Sequence, residues 1–599
     1  MVYGSKVFNK MMRPGNVLVL NATTKRETGY RAQKLNIQAG KEVADVLRTC
    51  LGPRAMLKMI LSASGSILMT NDGNSIIREI DVKHPAARTI IQLSRAQDEE
   101  VGDGTTSVIV LSGEVLAQSQ ELLERSLHPT IICHSYQRAL QTAIAVCDKI
   151  SKPVDVDNKE EMYSLLRTTL GTKFASEWME MMCKLAYEAV RRVTIYHNTE
   201  GKSDPSARRV PEIDIKRYAK VEKIPGGSES MSEVLDGVMI NKDLTHPAMR
   251  RRIENPRIVL LDCALEYKKG ESQTSTVVTK EEDWEKLLRA EEEEVEKMCK
   301  YIIALKPDVV VTEKGLSDLA SHYLYKAGIS AIRRIRKTDN NRISRATGAT
   351  IVNQAEELKD TDVGTGCGLF EVKQIGDEFF AYFVKCKEPK ACTIVLRGSS
   401  KDVLNEIERN LQDAMCVARN ILVDPRLLPG GGATEMAVST ALALTAAAEE
   451  EGVAQWPRKA IAQAFEVIPR TLAENCGCSV IRRVTELRAK YHEMWKKVSI
   501  DSLLKAKSAS SASSSSASAS SESIQSSVEL WGINGETGEL MDVNKSELWE
   551  PYSVKVQTFK SSVDSACMLL RIDDIVSGQR KKGDGQGQAD PDALEKMEE

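Results

Sequence analysis

Six residues, Gly102-Asp103-Gly104-Thr105-Thr106-Ser107, place a glycine turn, a carboxylate and three hydroxyls directly ahead of a helical pattern, Val108, Leu111, Val115 and Leu122. A helix N-terminus prepared in this way presents unpaired N–H groups and the positive end of the helix dipole, a physical fit for phosphate. Asp103 would hold the Mg²⁺ that nucleotide phosphates bring. Alone, the hexamer has a plainer reading as a capped helix after a tight turn. Two further glycine sites, Leu51-Gly52-Pro53 after a helix and Pro429-Gly430-Gly431-Gly432-Ala433-Thr434 before another, would let backbone approach a ligand closely. Taken singly they read as a helix stop and a flexible linker. The sequence G-x-x-x-x-G-K-[ST] does not occur, which disfavours an ordinary P-loop.

Three more residues carry candidate chemistry and an ordinary alternative. Asp72, in Thr70-Asn71-Asp72-Gly73, reads as turn chemistry between short strands, with catalysis the lesser reading. Asp413 lies in the helical stretch Val403–Ala418, whose stripe Val403, Ile407, Leu411 and Met415 is apolar. Asp402, Glu406, Arg409 and Asp413 share the other face, by itself an ordinary solvated surface. Lys173, after Thr169-Leu170-Gly171-Thr172, reads as a surface lysine. The seven histidines show no metal-ligand spacing, so no metal is expected beyond a nucleotide-borne cation.

The elements that must position these residues fall into two textures. Residues 36–147 are mainly helical: a helix over Leu35–Leu51, a short strand pair at Ile67–Thr70 and Ser75–Arg78, then long helices. Gly431–Arg488 and Ser562–Leu570 share that Ala-rich texture, so both chain ends are expected to build one discontinuous domain. In the middle, β-branched runs at Arg257–Ala264, Pro307–Thr312 and Ile329–Ile335 alternate with helical stretches such as Leu316–Ala327, the pattern of βαβ units. Two alternating runs flank Ile375-Gly376-Asp377, a hairpin signal, and Ala391–Leu396 adds a strand. With Glu160–Val193 these suit a hinge module. Trp284–Lys306 reads as a long exposed helix with Glu291–Glu294 as solvated surface. Ser508–Ser521 contains only Ser and Ala and is assigned no fold, as is the tail from Lys581.

Composition bounds the rest. A length of 599 residues suggests about four domain-sized units at roughly 150 residues each, which excludes a single small module. Lys plus Arg 82 against Asp plus Glu 85 leaves a net charge of −3, without the basic excess of a nucleic-acid binder. Aromatics at 5% mean cores built from Ala, Val, Ile, Leu and Met. Thirteen scattered cysteines without a C-x-x-C pair fit reduced thiols, hence the cytosol, better than disulfides or a zinc site. Met436–Ala448, the longest apolar tract, is broken by Ser439, Thr440 and Thr445 and falls short of a membrane span, and Val17–Leu20 is too short for a signal-peptide core.

Taken in order, Leu51-Gly52-Pro53, Thr70-Asn71-Asp72-Gly73, Gly102–Ser107, Pro429–Ala433 and Leu570-Arg571-Ile572-Asp573-Asp574 resemble the group II chaperonins. The order is far more specific than any one member. Leu261–Gln273, with Asn475-Cys476-Gly477 and Trp549-Glu550-Pro551, resembles one subunit type of the eukaryotic cytosolic chaperonin.

The resemblance implies a multidomain α+β chaperonin fold. A mainly α equatorial domain would span 1–154 and 412–580, with a disordered Ser/Ala insert at 508–527. A small α/β intermediate domain would take 155–220 and 380–411, an α/β apical domain with a helical protrusion 221–379, and a disordered tail 581–599. It further implies ATP and Mg²⁺, with Asp103 as the Mg²⁺ ligand and Gly104, Thr105, Thr106 and Ser107 as the phosphate-binding turn. Leu51, Gly52 and Pro53 would form the first nucleotide loop, Gly431 and Gly432 the loop beside the ribose, Asn534 part of the adenine pocket, and Glu550 the carboxylate at the ribose hydroxyls. Asp72 and Asp413 would orient and deprotonate the attacking water, and Lys173 would sense the γ-phosphate. The implied partners are seven paralogous subunits in an eight-membered ring, two rings stacked, and non-native clients including actin and tubulin, in the cytoplasm, with no nucleic acid or membrane. Many relatives carry Lys where Arg54 follows Gly52-Pro53; Arg keeps the charge, but its planar fork differs. Two other readings of the residues are a monomeric small-molecule kinase and a non-catalytic scaffold.

Overall fold

The computed structural model describes residues 25–61, 65, 67–80, 82–171, 178–196, 211–267, 281–449, 452–498 and 529–577. Lys173, the insert 508–527 and the tail 581–599 lie outside the described residues.

The first third is β1 (Lys25–Thr28), α1 (Tyr30–Arg48), the hairpin β2 (Lys58–Leu61) and β3 (Ile67–Thr70), then α2 (Gly73–Glu79), α3 (Pro85–Glu100), α4 (Thr105–Glu124) and α5 (Pro129–Ile150). β4 (Lys152–Pro153), α6 (Lys159–Leu170) and α7 (Met179–Val193) follow. Val108, Ile109, Val110 and Leu111 of α4 are all fully buried, as a helix apolar on every side must be when others surround it. Glycine sets how close α1 comes to α4: a Cβ on Gly113 would stand 2.4 Å from Ala44 Cβ and 3.2 Å from the Gly40 carbonyl. We expect Gly113→Val to force these helices apart and cost about 2 kcal/mol or more. A thermal melt of the purified chain should show the lowered midpoint; an unchanged midpoint would mean the contact is slack.

The expectation of a strand at Ser75–Arg78 is corrected. β3 pairs antiparallel with β2, Lys58 opposite Thr70, and Ser75–Arg78 lies inside α2. Asp72 is the N-cap of that helix, its Oδ2 accepting from the Ser75 N–H at 3.0 Å and the Ser75 hydroxyl at 2.7 Å. A capped helix captures the apolar pair Ile76 and Ile77, 1% and 3% exposed, where an edge strand would leave one outside.

The middle third runs β5 (Ala219–Pro225), β6 (Glu233–Leu235), β7 (Val238–Ile240), β8 (Arg252–Glu254), β9 (Ile258–Leu261), α8 (Glu281–Ala304), β10 (Val309–Thr312) and α9 (Asp318–Lys326). It continues with β11 (Ser330–Ile332), α10 (Lys337–Thr347), β12 (Ile351–Val352), β13 (Leu369–Ile375), β14 (Glu378–Val384) and β15 (Cys392–Gly398). β11-β10-β9-β12 form a parallel sheet with helices between successive strands, the βαβ pattern. β13 and β14 are joined by a two-residue turn, Gly376-Asp377, with Ile375 opposite Glu378. The hairpin does not belong to the hinge. β14 pairs with β7 and β13 with β8, and Val372, Ala381 and Phe383 share the buried cluster of the parallel sheet. A boundary between 379 and 380 would cut β14 in two.

The last third is α11 (Lys401–Val423), β16 (Arg426–Pro429), α12 (Ala433–Glu449), α13 (Gln455–Phe465), α14 (Val467–Asn475) and α15 (Val480–Val498). β17 (Trp531–Ile533), β18 (Leu540–Asp542), β19 (Trp549–Pro551), α16 (Tyr552–Leu570) and β20 (Asp574–Ser577) complete it. β20 pairs with β1, and Phe559 of α16 stacks edge-on to Phe465 inside one apolar core with α1, α4 and α5. The two ends of the chain thus fold as one body. That core runs on through α6, α7 and α11, and a small cluster, Ile224, Leu235, Met239, Phe380 and Val395, lies where it meets the middle body.

Candidate functional site

The glycine turn before α4 is built to approach other groups. Gly102 and Gly104 both have φ +77°, in the left-handed region, and a Cβ on Gly102 would stand 2.4 Å from Cys416 Cβ. Gly104 is the N-cap of α4 and no side chain caps the helix. The first N–H groups of any helix lack partners within it, and here Thr105, Thr106 and Ser107 line a cavity of about 450 Å³. Asp103 lines it too, with Oδ1 accepting from the Gly104 N–H at 2.7 Å. Asp72 joins from the α2 cap, its Oδ1 accepting from the Thr105 hydroxyl at 3.4 Å. Its neighbour Gly73 lies against Thr106, where a Cβ would meet Thr106 Oγ1 at 2.7 Å.

The same cavity is lined by Leu51, Gly52 and Pro53, by Gly431 and Gly432, and by Asn534 and Glu550. Pro53 packs on the β17–β18 turn at Gly535, and the Ile533 N–H donates to the Gly431 carbonyl at 2.9 Å. Asn534 Oδ1 accepts from the Glu536 N–H at 2.8 Å, which holds that turn. Arg54 donates from Nη1 to the Cys476 carbonyl at 3.4 Å and is not among the lining residues. Of the candidate residues, Asp413 does not line the cavity, and Lys173 is outside the described residues, whereas Arg167, Thr168, Thr169 and Gly171 just before it do line it.

The helix carrying Asp413 nevertheless runs past both acidic turns. Seven residues before it, the buried Glu406 accepts from the Thr70 hydroxyl at 3.4 Å; seven after it, Asn420 donates from Nδ2 to the Val101 carbonyl at 2.8 Å. Heptad spacing keeps the three on one side of α11, so Asp413 lies between the Thr70–Asp72 and Val101–Asp103 segments. Cys416, one turn on, packs on Gly102, and its thiol is pushed up to about 11 by burial, opposed by Arg419, with Asp413 and Asp98 adding to the rise. The expectation that this polar face is plain solvated surface therefore fails at Glu406, 6% exposed, and at Asp413, half-buried.

Two charged residues of the site carried no sequence signal. Lys555, on the first turn of α16, lies 2.5 Å from Glu435 Oε1 and 2.9 Å from Glu550 Oε2. Burial would pull its ammonium down, but Glu435 and Glu550 hold it above its ordinary value, so it stays a cation. For Glu550, burial pushes the carboxyl up, Lys555 opposes this, and Glu435 and Asp103 add to the rise. Glu435 stands three residues after Gly432 and Lys555 five after Glu550, spacings that mean nothing until β16 and β19 pair, Leu428 opposite Glu550.

Phosphate-sized N–H donors at one end, a carboxylate beside them and a shaped apolar and polar wall at the other are what a nucleotide needs. The model of the TCP-1/cpn60 chaperonin family matches residues 43–580. The chain belongs to that family. It is 55% identical over 565 residues to T-complex protein 1 subunit gamma of Schizosaccharomyces pombe, covering 94% of this chain and 99% of the relative. The subunit gamma of Thalassiosira weissflogii is 56% identical over 573 residues, 95% and 99% of the two chains, and that of Homo sapiens 54% over 576, 96% and 98%. A chaperonin chain thus carries a cavity lined from widely separated stretches of its sequence. Among its described residues no helix is long and apolar enough to cross a membrane, and no group of three or more His, Cys, Asp or Glu side chains is placed to hold a metal ion.

Proposed function

We propose that this chain is a subunit of a hetero-oligomeric, double-ring chaperonin that hydrolyses ATP with Mg²⁺ and uses the cycle to close a lid over non-native proteins, actin and tubulin among them, in the cytoplasm. The observation that carries the reading is the convergence of Leu51–Pro53, Asp72, Asp103–Ser107, Gly431–Gly432 and Glu550 on one cavity. The donor set fits a magnesium nucleotide: a hard carboxylate at Asp103 beside the open first turn of α4. When bound, Mg²⁺ neutralises charge on the phosphate oxygens. Asp103 would hold it, the N–H groups of Thr105, Thr106 and Ser107 would hold the phosphates, and Glu550 and Asn534 would lie toward the nucleoside. Asp72 and Asp413 would orient the attacking water and take its proton, since phosphoryl transfer needs placement and charge balance more than covalent help.

The same helix offers a route from site to lid. α11 bonds to β5 through Glu408 and Asn405, which accept from Lys223 Nζ at 2.6 and 2.8 Å. Three residues earlier on β5, Lys220 pairs with Asp339 of α10, in the middle body, at 3.2 Å. A shift of α11 on γ-phosphate loss would therefore be felt by that body. Co-expression with the other subunits and size-exclusion chromatography test the reading. The expected result is a particle far above 66.2 kDa with Mg²⁺-dependent ATPase activity. A stable monomer that moves phosphate to a small acceptor would replace the reading with a kinase, and a particle without ATPase activity would leave a scaffold.

A further inference from the structure

A buried cysteine ordinarily behaves as a small apolar side chain, and burial pushes the thiols of Cys183 and Cys299 up to about 11, where they stay protonated and inert. Cys133 of α5 departs from this. It is fully buried against Cys567 of α16, itself 4% exposed, although the two stand 434 residues apart in the chain. Each thiol lies on the other's backbone carbonyl, Cys133 Sγ at 3.5 Å and Cys567 Sγ at 3.9 Å. Both thiols are free, they hydrogen-bond one another, and the Arg571 guanidinium donates to Cys133. The Cys567 thiol and Arg571 together overcome burial and pull Cys133 down to about 7, while Cys133 and burial push its partner up, so the thiolate falls on Cys133. Tyr136 and Asp564 also face the pair, and the Tyr136 hydroxyl is engaged with Ser119 Oγ at 2.8 Å. Arg571, just past the end of α16, is exposed, as is Met568 at 60%, so the pair lies close under the surface. Neither cysteine lines the cavity. A thiolate touching a second thiol has the two parts of an oxidation site: one sulfur takes the oxidant and the other resolves it.

We propose that Cys133 and Cys567, with Arg571 as the activating cation, are a dithiol oxidation site: hydrogen peroxide converts the pair to a disulfide that staples α5 to α16 and so joins the two ends of the chain. The Cys133 thiolate attacks one peroxide oxygen, the O–O bond breaks, hydroxide leaves, and Cys133 carries a sulfenic acid. Cys567 then attacks that sulfur, the S–O bond breaks, and the departing hydroxide takes the Cys567 proton as water. Two thiols and one peroxide become one disulfide and two waters once the first hydroxide regains a proton from solvent, with two electrons passing from sulfur to oxygen. The bridge constrains the unfolded chain and is returned to thiols by a reductant, as cytosolic disulfides usually are. Non-reducing peptide mapping of the full-length chain, kept folded and treated with hydrogen peroxide, tests this. The expected product is a linked pair of peptides carrying Cys133 and Cys567, lighter than their sum by two hydrogens and separated again by a reducing thiol. Arg571→Met should slow bridging about fivefold at pH 7 and little at pH 9, where the thiolate forms without help, and Arg571→Lys should keep most of the rate. Equal rates for Arg571→Met and the unaltered chain at both pH values would overturn the role given to Arg571. Recovery of Cys133 and Cys567 as free thiols after other cysteines have been oxidised would overturn the site itself. So would their separate conversion to sulfinic acids, or a bridge that forms only once urea has unfolded the chain.

Discussion

Asp413→Ala is expected to leave ATP binding nearly intact and to slow hydrolysis at this subunit by about a hundredfold or more, the usual contribution of a positioned general base. The reason lies in where α11 passes. Glu406 and Asn420 pin the helix to the segments that end in Asp72 and Asp103, so the residue midway between them is carried between those segments without lining the cavity. A group so placed touches little of the ground-state ligand and acts when water attacks, so kcat should fall while affinity holds. Asp413→Asn should be as slow, because the amide keeps the shape and loses the base. The measurement is single-turnover hydrolysis in a ring whose other sites are silenced. Unchanged turnover would remove Asp413 from the chemistry, and a parallel loss of affinity would make it a binding residue.

What could be read from residue types alone divides along a physical line. Local features were legible. The turn Gly102–Ser107 announces a helix start because glycine and hydroxyl chemistry act within a few residues, and Gly376-Asp377 announces a hairpin for the same reason. Even locally one signal points the wrong way: Ser75–Arg78 reads as a strand, yet Asp72 and Ser75 stand at cap spacing and the segment is a capped helix. Lateral relations were not legible. The hairpin β13–β14 reads as part of the hinge because nothing in its own residues names β7 and β8 as its neighbours. Periodicity located the buried stripe of α11 but left open what its polar face meets. The heptad Glu406, Asp413 and Asn420 was the available clue, and it acquires meaning only once Thr70 and Val101 are known to face it. Lys555 is the extreme case, since its two partners come from different elements, Glu435 at a distance of 120 residues in the chain. The ordered set of motifs carries long-range information that propensity lacks, which is why the resemblance, and not the face alone, implies a role for Asp413.

Asp103→Ala should weaken Mg-ATP binding itself, by roughly ten- to a hundredfold, the range for losing one interaction with a charged partner. Asp103 is fixed in place by its own turn. Its Oδ1 takes the Gly104 N–H, and the Gln97 amide donates to its backbone carbonyl at 3.1 Å, so the side chain is presented without a search among rotamers. Removing it should leave the first turn of α4 able to hold phosphate and take away only the carboxylate that would hold the cation. That separates two contributions that chelation also separates. In the unaltered chain EDTA should lower ATP affinity; in Asp103→Ala the affinity should already be low and should hardly respond to EDTA. Normal affinity in the variant, or an undiminished response to EDTA, would place the cation elsewhere in the cavity and return Asp103 to the role of a turn residue that caps nothing but its own neighbour.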